Sequence, residues 1–168
     1  MKYGSHGKLP RVSDRLKTLV IAVAGLLALS VPAAGQERMV LGPRQFEFDK
    51  TGNGAVLCAW SMYLSVQAKT AACGLQRRPT DDAMDEAIAA IDQFILANSS
   101  LHPTRPMLEE FKRSAAESDL AVARKQGLEK ACTSRDLEHF RSISPDQIRG
   151  SVKKLLEAPR EPVINPCL

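Results

Sequence analysis

Aromatic residues and long apolar stretches are scarce in this 168-residue chain, which contains one Trp, two Tyr and five Phe. Its longest apolar run, from Leu19 to Val31, is only about two-thirds of the roughly 20 residues that a membrane-spanning helix needs. The catalytic signatures H-E-x-x-H and G-x-S-x-G are also missing. The shortness of the apolar run argues against a transmembrane helix. The missing signatures argue against a zinc metalloprotease or an α/β-hydrolase.

The N-terminal segment has the three parts of a secretory signal peptide. Basic residues lead into the apolar run, and the small residues Ala33-Ala34-Gly35 follow it. We therefore predict that residues 1–35 are a signal peptide, cleaved after Ala33 or Gly35. Residues 36–168 are then a single exported domain, periplasmic or secreted, with no membrane span. An uncleaved membrane anchor is the alternative interpretation.

The predicted mature domain has no excess of positive or negative charge. The predicted signal peptide carries five of the 23 Lys and Arg residues and one of the 19 Asp and Glu residues, which leaves 18 of each. The formal charge of +4 therefore belongs to the segment that we expect to be removed. Because nucleic-acid binding relies on basic surface, we predict no nucleic-acid partner.

The four cysteines all follow the predicted signal peptide. An even number of cysteines in an exported protein indicates disulfide bonds. Zinc sites use short spacings between ligands, whereas successive cysteines here are 15, 59 and 35 positions apart. We therefore predict two disulfides and no metal or other cofactor.

Helical periodicity dominates the rest of the chain. It predicts a first helix over 55–72 and a second from an N-cap at Thr80 to Asn98. A third helix runs from Thr104 to Gly127 or onward to Cys132. Two shorter helices begin at the caps Ser134 and Ser144. On the second helix we expect Asp92 to face away from the apolar stripe, and on the third we expect Val122 to face inward. The predicted fold is all-α, a compact bundle of four to five helices. An irregular N-terminal segment with a short strand over 45–50 precedes it, and an extended, proline-rich C-terminal tail follows.

Helix length restricts the disulfide pairing. In an unbroken first helix, Cys58 and Cys73 would lie about 22 Å apart, whereas bonded cysteines have Cα atoms within about 7 Å. An up-down-up order of the first three helices brings Cys132 to Cys73. The tail can then bring Cys167 to Cys58. Cys58–Cys132 is the alternative if the helix order differs.

One short segment resembles the first half of a calcium-binding EF-hand loop. Asp49, Thr51 and Asn53 occupy the first, third and fifth loop positions, and Gly54 supplies the sharp turn. The twelfth position, which should be a bidentate Glu, is Trp60. We therefore interpret the segment as a Gly-rich turn that leads into a helix, with a metal site as the alternative.

Few other side chains suggest chemistry. Asp136 and His139 can share a helix face, as an acid–base pair would. Glu109 and Glu110 are adjacent acids, but neighbouring helical residues point about 100° apart and do not converge on one bond. Both pairs have the ordinary interpretation of a solvated helix surface. Trp60 and Tyr63 are candidates for a ligand site, although a core position is the favoured interpretation of both.

Three functional hypotheses follow. The leading one is an exported, non-enzymatic protein that binds another macromolecule, with a protein partner in the cell envelope: an envelope accessory factor, an inhibitor or immunity-type protein, or a stress chaperone. The second is a protein that binds a small ligand or a metal ion. The third is an enzyme without a readable motif.

Overall fold

The computed structural model describes residues 39–167, which all belong to one compact unit. The predicted signal peptide lies outside the described residues. The structure is all-helical, as predicted, and its six α-helices include one of only five residues. They are α1 (Val56–Ala72), α2 (Pro79–Asn98), α3 (Arg105–Gln126), α4 (Leu128–Cys132), α5 (Arg135–Ser142) and α6 (Pro145–Leu155). No helix in this part of the chain is long and apolar enough to cross a membrane.

Local sequence signals account for most of the helix boundaries. The hydroxyls of Thr104, Ser134 and Ser144 each accept a hydrogen bond from a backbone N–H in the first turn of the helix that follows. Gly74 follows α1 at a φ of +59°, a conformation that costs glycine little. Gly127 ends α3 at a φ of +97°, so α4 is a separate short helix.

Two local predictions were wrong, namely the N-cap at Thr80 and the strand over 45–50. Helix α2 begins at Pro79 with Arg78 as its N-cap, because the Asp81 carboxylate accepts a hydrogen bond from the Arg78 N–H. Thr80 instead donates its hydroxyl to the carbonyl of Ile143. The predicted strand over 45–50 is reduced to one parallel bridge between Phe48 and Asn165, and a 3-10 helix at Pro43–Phe46 precedes it.

The core lies where α1 and α2 pack against α3, α5 and α6. Its largest fully buried side chains include Trp60, Met84 and Ile91. Contacts between α1 and α3 advance in the same direction along both helices, from Trp60 with Phe111 to Ser65 with Asp119. The two helices therefore run parallel, as the predicted up-down-up order requires.

Two disulfide bonds join Cys73 to Cys132 and Cys58 to Cys167, the pairing that the sequence predicts. Their Cα atoms lie 5.6 Å and 5.2 Å apart, respectively. The first bond fastens the end of α1 to α4. The second fastens the C-terminal tail to the first turns of α1.

Backbone and side-chain contacts hold the extended tail along its length. The carbonyl of Val163 accepts a hydrogen bond from the Leu57 N–H, and the Ile164 N–H donates to the carbonyl of Gln45. Glu161 accepts hydrogen bonds from the side chain of Gln45 and from the hydroxyl and backbone of the Ser99-Ser100 turn. The tail is therefore a structural part of the domain.

Candidate functional site

The segment that resembles an EF-hand loop forms a turn around the carboxylate of Asp49, which pairs with an arginine of the C-terminal tail. Asp49 accepts hydrogen bonds from the Thr51 hydroxyl and from the N–H groups of Gly52 and Gly54. Arg160 Nε donates to Asp49 Oδ1 at 3.0 Å, and Arg160 Nη2 donates to the Gly54 carbonyl at 2.8 Å. A guanidinium thus neutralises the carboxylate that a metal ion would use.

The charge environment of Asp49 fits this arrangement. Burial acts to raise the pKa of Asp49, but hydrogen bonds from Thr51 and Gly54 and the charge of Arg160 outweigh it, so the pKa is lowered. Asn53 donates its backbone N–H to the Thr51 hydroxyl and lines a cavity beside α1. Among residues 39–167 no group of three or more His, Cys, Asp or Glu side chains is arranged to hold a metal ion.

Trp60 belongs to the core. Its ring is 1% exposed and stacks on Phe111, with ring centroids 5.5 Å apart. Its indole N–H donates to Asp92 at 2.8 Å, and Lys112 Nζ lies 2.7 Å from the other Asp92 oxygen. The expectation that Asp92 faces solvent was therefore wrong. Burial by itself would lower the pKa of Lys112, but its hydrogen bonds to Asp92 and Glu109 outweigh this effect and raise the pKa.

A second buried charged pair went unpredicted. Asp81 and Arg141 are both almost fully buried, and the guanidinium donates from Nε and Nη2 to the two carboxylate oxygens. Burial acts to raise the pKa of Asp81, but these hydrogen bonds and the Arg78 N–H outweigh it and lower the pKa. The pair joins the start of α2 to α5, so its role is structural.

The structure does not bring the acid–base candidates together. No hydrogen bond or ion pair joins Asp136 to His139 in the described chain, and the two side chains line different surface depressions. Glu109 pairs with Lys112, whereas Glu110 pairs with Arg113. These helix faces therefore offer no shared catalytic centre.

A groove of about 600 Å³ lies beside α1. Its walls come from α1, the second half of α3, α4 and α5. The floor is apolar, because α1, α3 and α5 each contribute one buried apolar side chain to it: Val66, Ala123 and Leu137. Val122, predicted to face the core, is instead 48% exposed on the α3 wall.

Small residues keep the α3 wall low. Ala115 and Ala116 line the groove from one turn of α3, and Ala123 lies about two turns further along, at the floor. The lining of α3 extends from Ala115 to Gln126, a length of about 16 Å at 1.5 Å per residue. The groove therefore matches about three turns of helix in length.

Polar groups in the groove are arranged asymmetrically. Asp119 accepts a hydrogen bond from Ser65 at 2.8 Å and pairs with Lys69 at 3.3 Å, which neutralises its charge. Asp136, at the α5 side, is exposed and has no hydrogen bond or ion pair within residues 39–167. One uncompensated negative charge thus stands at one side of an apolar groove.

Sequence periodicity alone did not reveal this groove. Val122 was expected to face the core and Asp136 to lie on a solvated helix surface, yet both line the groove. No protein-family model matches the chain, and neither the curated proteins nor the solved structures contain a significant match. The function must therefore be argued from this geometry.

Proposed function

We propose that this is an exported, non-enzymatic protein that binds a protein partner in the cell envelope, and that the groove beside α1 receives an amphipathic helix of that partner. The observation that carries the proposal is the groove itself: an apolar floor, a low wall of alanines and an exposed Val122. Grooves of this form bind the apolar face of a helix through anchors at i, i+3, i+4 and i+7.

The charge of the groove specifies the partner helix further. Because Lys69 already neutralises Asp119, a second cation is not needed there. Asp136 offers its carboxylate without a partner among the described residues. The bound helix should therefore carry a Lys or Arg beside its apolar face, at the end that lies against α5.

Export is supported by two features. The N-terminal segment has the composition of a signal peptide. The two disulfide bonds are consistent with an oxidising compartment. N-terminal sequencing of the native protein tests this part of the proposal, and a sequence that begins at Met1 would contradict it.

The groove is tested by capture from the envelope fraction with a matched pair of variants. Val122→Glu places a charge on the groove wall, whereas Val40→Glu alters a valine that is exposed outside the groove. We expect Val122→Glu to lose at least tenfold in captured partner, identified by mass, and Val40→Glu to retain it. Both variants should keep the wild-type melting temperature, since both sites are exposed.

A second comparison tests the charge. Asp136→Asn should weaken capture and reduce its dependence on salt, because it removes the proposed contact with a basic residue. Capture that survives Val122→Glu would rule out the groove. The proposed occupant would be ruled out if a purified partner that contains no helix crosslinks to Gln126, at the end of the groove.

A further inference from the structure

A second cavity, of about 380 Å³, lies on another side of α1. It is bounded by the start of α1, by α6 and by the C-terminal tail at Pro166. Most of its lining is apolar and comes from Ala55, Cys58, Ala59, Met62, Val152 and Leu155. No charged side chain lines it.

Three uncharged polar side chains from three different elements complete the lining. They are Asn53 in the turn before α1, Tyr63 in α1 and Ser151 in α6. None of the three side chains forms a hydrogen bond within residues 39–167, although Tyr63 is 91% buried, with a relative exposure of 9%. Although most of the Tyr63 side chain is buried, its hydroxyl is not a fully enclosed atom, so it can hydrogen-bond to a bound molecule or to water in the cavity.

We infer that this cavity binds a small uncharged molecule with an apolar body and one hydroxyl or carbonyl group, which hydrogen-bonds to Tyr63. Ligand sites in proteins are mostly apolar, with a few convergent polar groups that set orientation. The inference does not depend on the proposed function, because the two cavities share only Met62 among their lining residues.

The cavity wall is held in place before any ligand binds. Pro166 is held from both sides. The disulfide bond to Cys58 fixes Cys167, and hydrogen bonds to Phe46 and Asp49 fix Asn165. A rigid wall reduces the entropy that binding would otherwise cost. The volume also limits the ligand, since a cavity of about 150 Å³ accommodates benzene. A molecule of roughly two to three times that size is the upper limit here.

A matched pair of probes tests the ligand class. 4-Ethylphenol and ethylbenzene have the same apolar body, and only the first carries a hydroxyl. In titrations of the disulfide-intact protein followed by amide NMR shifts, we expect both to bind saturably at the cavity residues. The phenol should bind between about twofold and tenfold more tightly, the usual effect of one hydrogen bond. In Tyr63→Phe this preference should disappear.

A second set of variants tests the location. Ser151→Phe places a bulky side chain at an exposed position of the cavity lining, and Ala59→Leu fills the cavity from α1. The matched control is Ala71→Leu, on an exposed face of the same helix that lines neither cavity. We expect the two blocking variants to lose at least tenfold in affinity for both probes and the control to bind as the wild type does.

Two results would overturn the inference. The site is wrong if neither probe binds up to its solubility limit, or if both blocking variants bind as the wild type does. The ligand class is wrong if binding is blocked as expected but the phenol shows no preference that depends on Tyr63. Val122→Glu should leave the binding of both probes unchanged, whatever its effect on partner capture, because Val122 does not line this cavity. Failure of either proposal can therefore be recognised separately.

Discussion

Arg160 and Asp49 are 111 positions apart in the chain, yet the guanidinium of one lies 3.0 Å from the carboxylate of the other. Their side chains are 11% and 3% exposed. Arg160 also lies over the ring of Phe94, 5.7 Å from its centroid. This pair explains why a segment with the residue pattern of a metal loop serves here to anchor the C-terminal tail.

Calcium should therefore have no effect on stability. The oxygens of Asp49 are already committed to Thr51, to backbone N–H groups and to Arg160, whereas calcium requires six to eight oxygen ligands. We expect the melting temperature to be the same with and without millimolar calcium, measured by circular dichroism. A rise of several degrees with calcium, and none with magnesium, would contradict this.

The buried carboxylate Asp92 should contribute far more to stability than Glu109, although both pair with Lys112. Asp92→Ala leaves the Trp60 N–H and a half-buried ammonium without their shared acceptor, at a cost of about 2–4 kcal/mol. Glu109 is 67% exposed, and Glu109→Ala should cost less than about 1 kcal/mol. Urea unfolding followed by the emission of Trp60, the only tryptophan, measures both. Equal losses would show that Asp92 gains nothing from burial.

The local features of this fold could be predicted from sequence because they depend on neighbouring residues. The caps at Thr104, Ser134 and Ser144 each act within one helical turn. The disulfide pairing required only one unbroken helix and the order of the first three. Its confirmation therefore follows from distances along the chain.

The features that were missed depend on contacts between distant positions. Asp92 was assigned to solvent because it is charged, yet it lies four residues after Ile88 and three before Ile95, on the same face of α2. That spacing, with a lone tryptophan that needs an acceptor if buried, was the available signal. The groove has no such signal. It exists because the second half of α3 and α5 leave a space beside α1, which only the assembled bundle defines.

Acid should destabilise the protein through Asp81. Because the pKa of Asp81 is lower in the folded protein than in the unfolded chain, its contribution is complete above the ordinary Asp pKa of about 3.9 and is lost as the pH falls below it. Asp49, whose pKa is also lowered, adds to the same loss.

The measurement is the free energy of unfolding in urea between pH 6 and pH 3. Asp81→Asn should flatten this pH dependence because it removes the titrating group. The matched control is Asp82→Asn, at a neighbouring position that is 63% exposed. If the wild type and Asp81→Asn show the same slope, the Arg141 pair does not control acid stability.

Removal of either disulfide should destabilise the domain, but with different structural consequences. The bonds close loops whose ends are 109 and 59 positions apart, for which the chain-entropy estimate is about 4–5 kcal/mol each. We expect Cys58→Ala with Cys167→Ala to release mainly the end of the tail, because the contacts of Arg160 and Glu161 lie before the lost bond. Hydrogen exchange should then accelerate at the amides of Leu57 and Asp49, which donate to Val163 and Asn165.

Cys73→Ala with Cys132→Ala should act at the opposite end of α1. It frees α4 and the end of α3, which form one wall of the groove, so exchange should accelerate from Ala123 to Thr133 while the tail stays protected. The two double variants are controls for each other. If both accelerate exchange over the whole domain, the bonds support one cooperative unit and have no separate local roles. If partner capture also falls only in Cys73→Ala with Cys132→Ala, the position of that wall is a condition for binding in the groove.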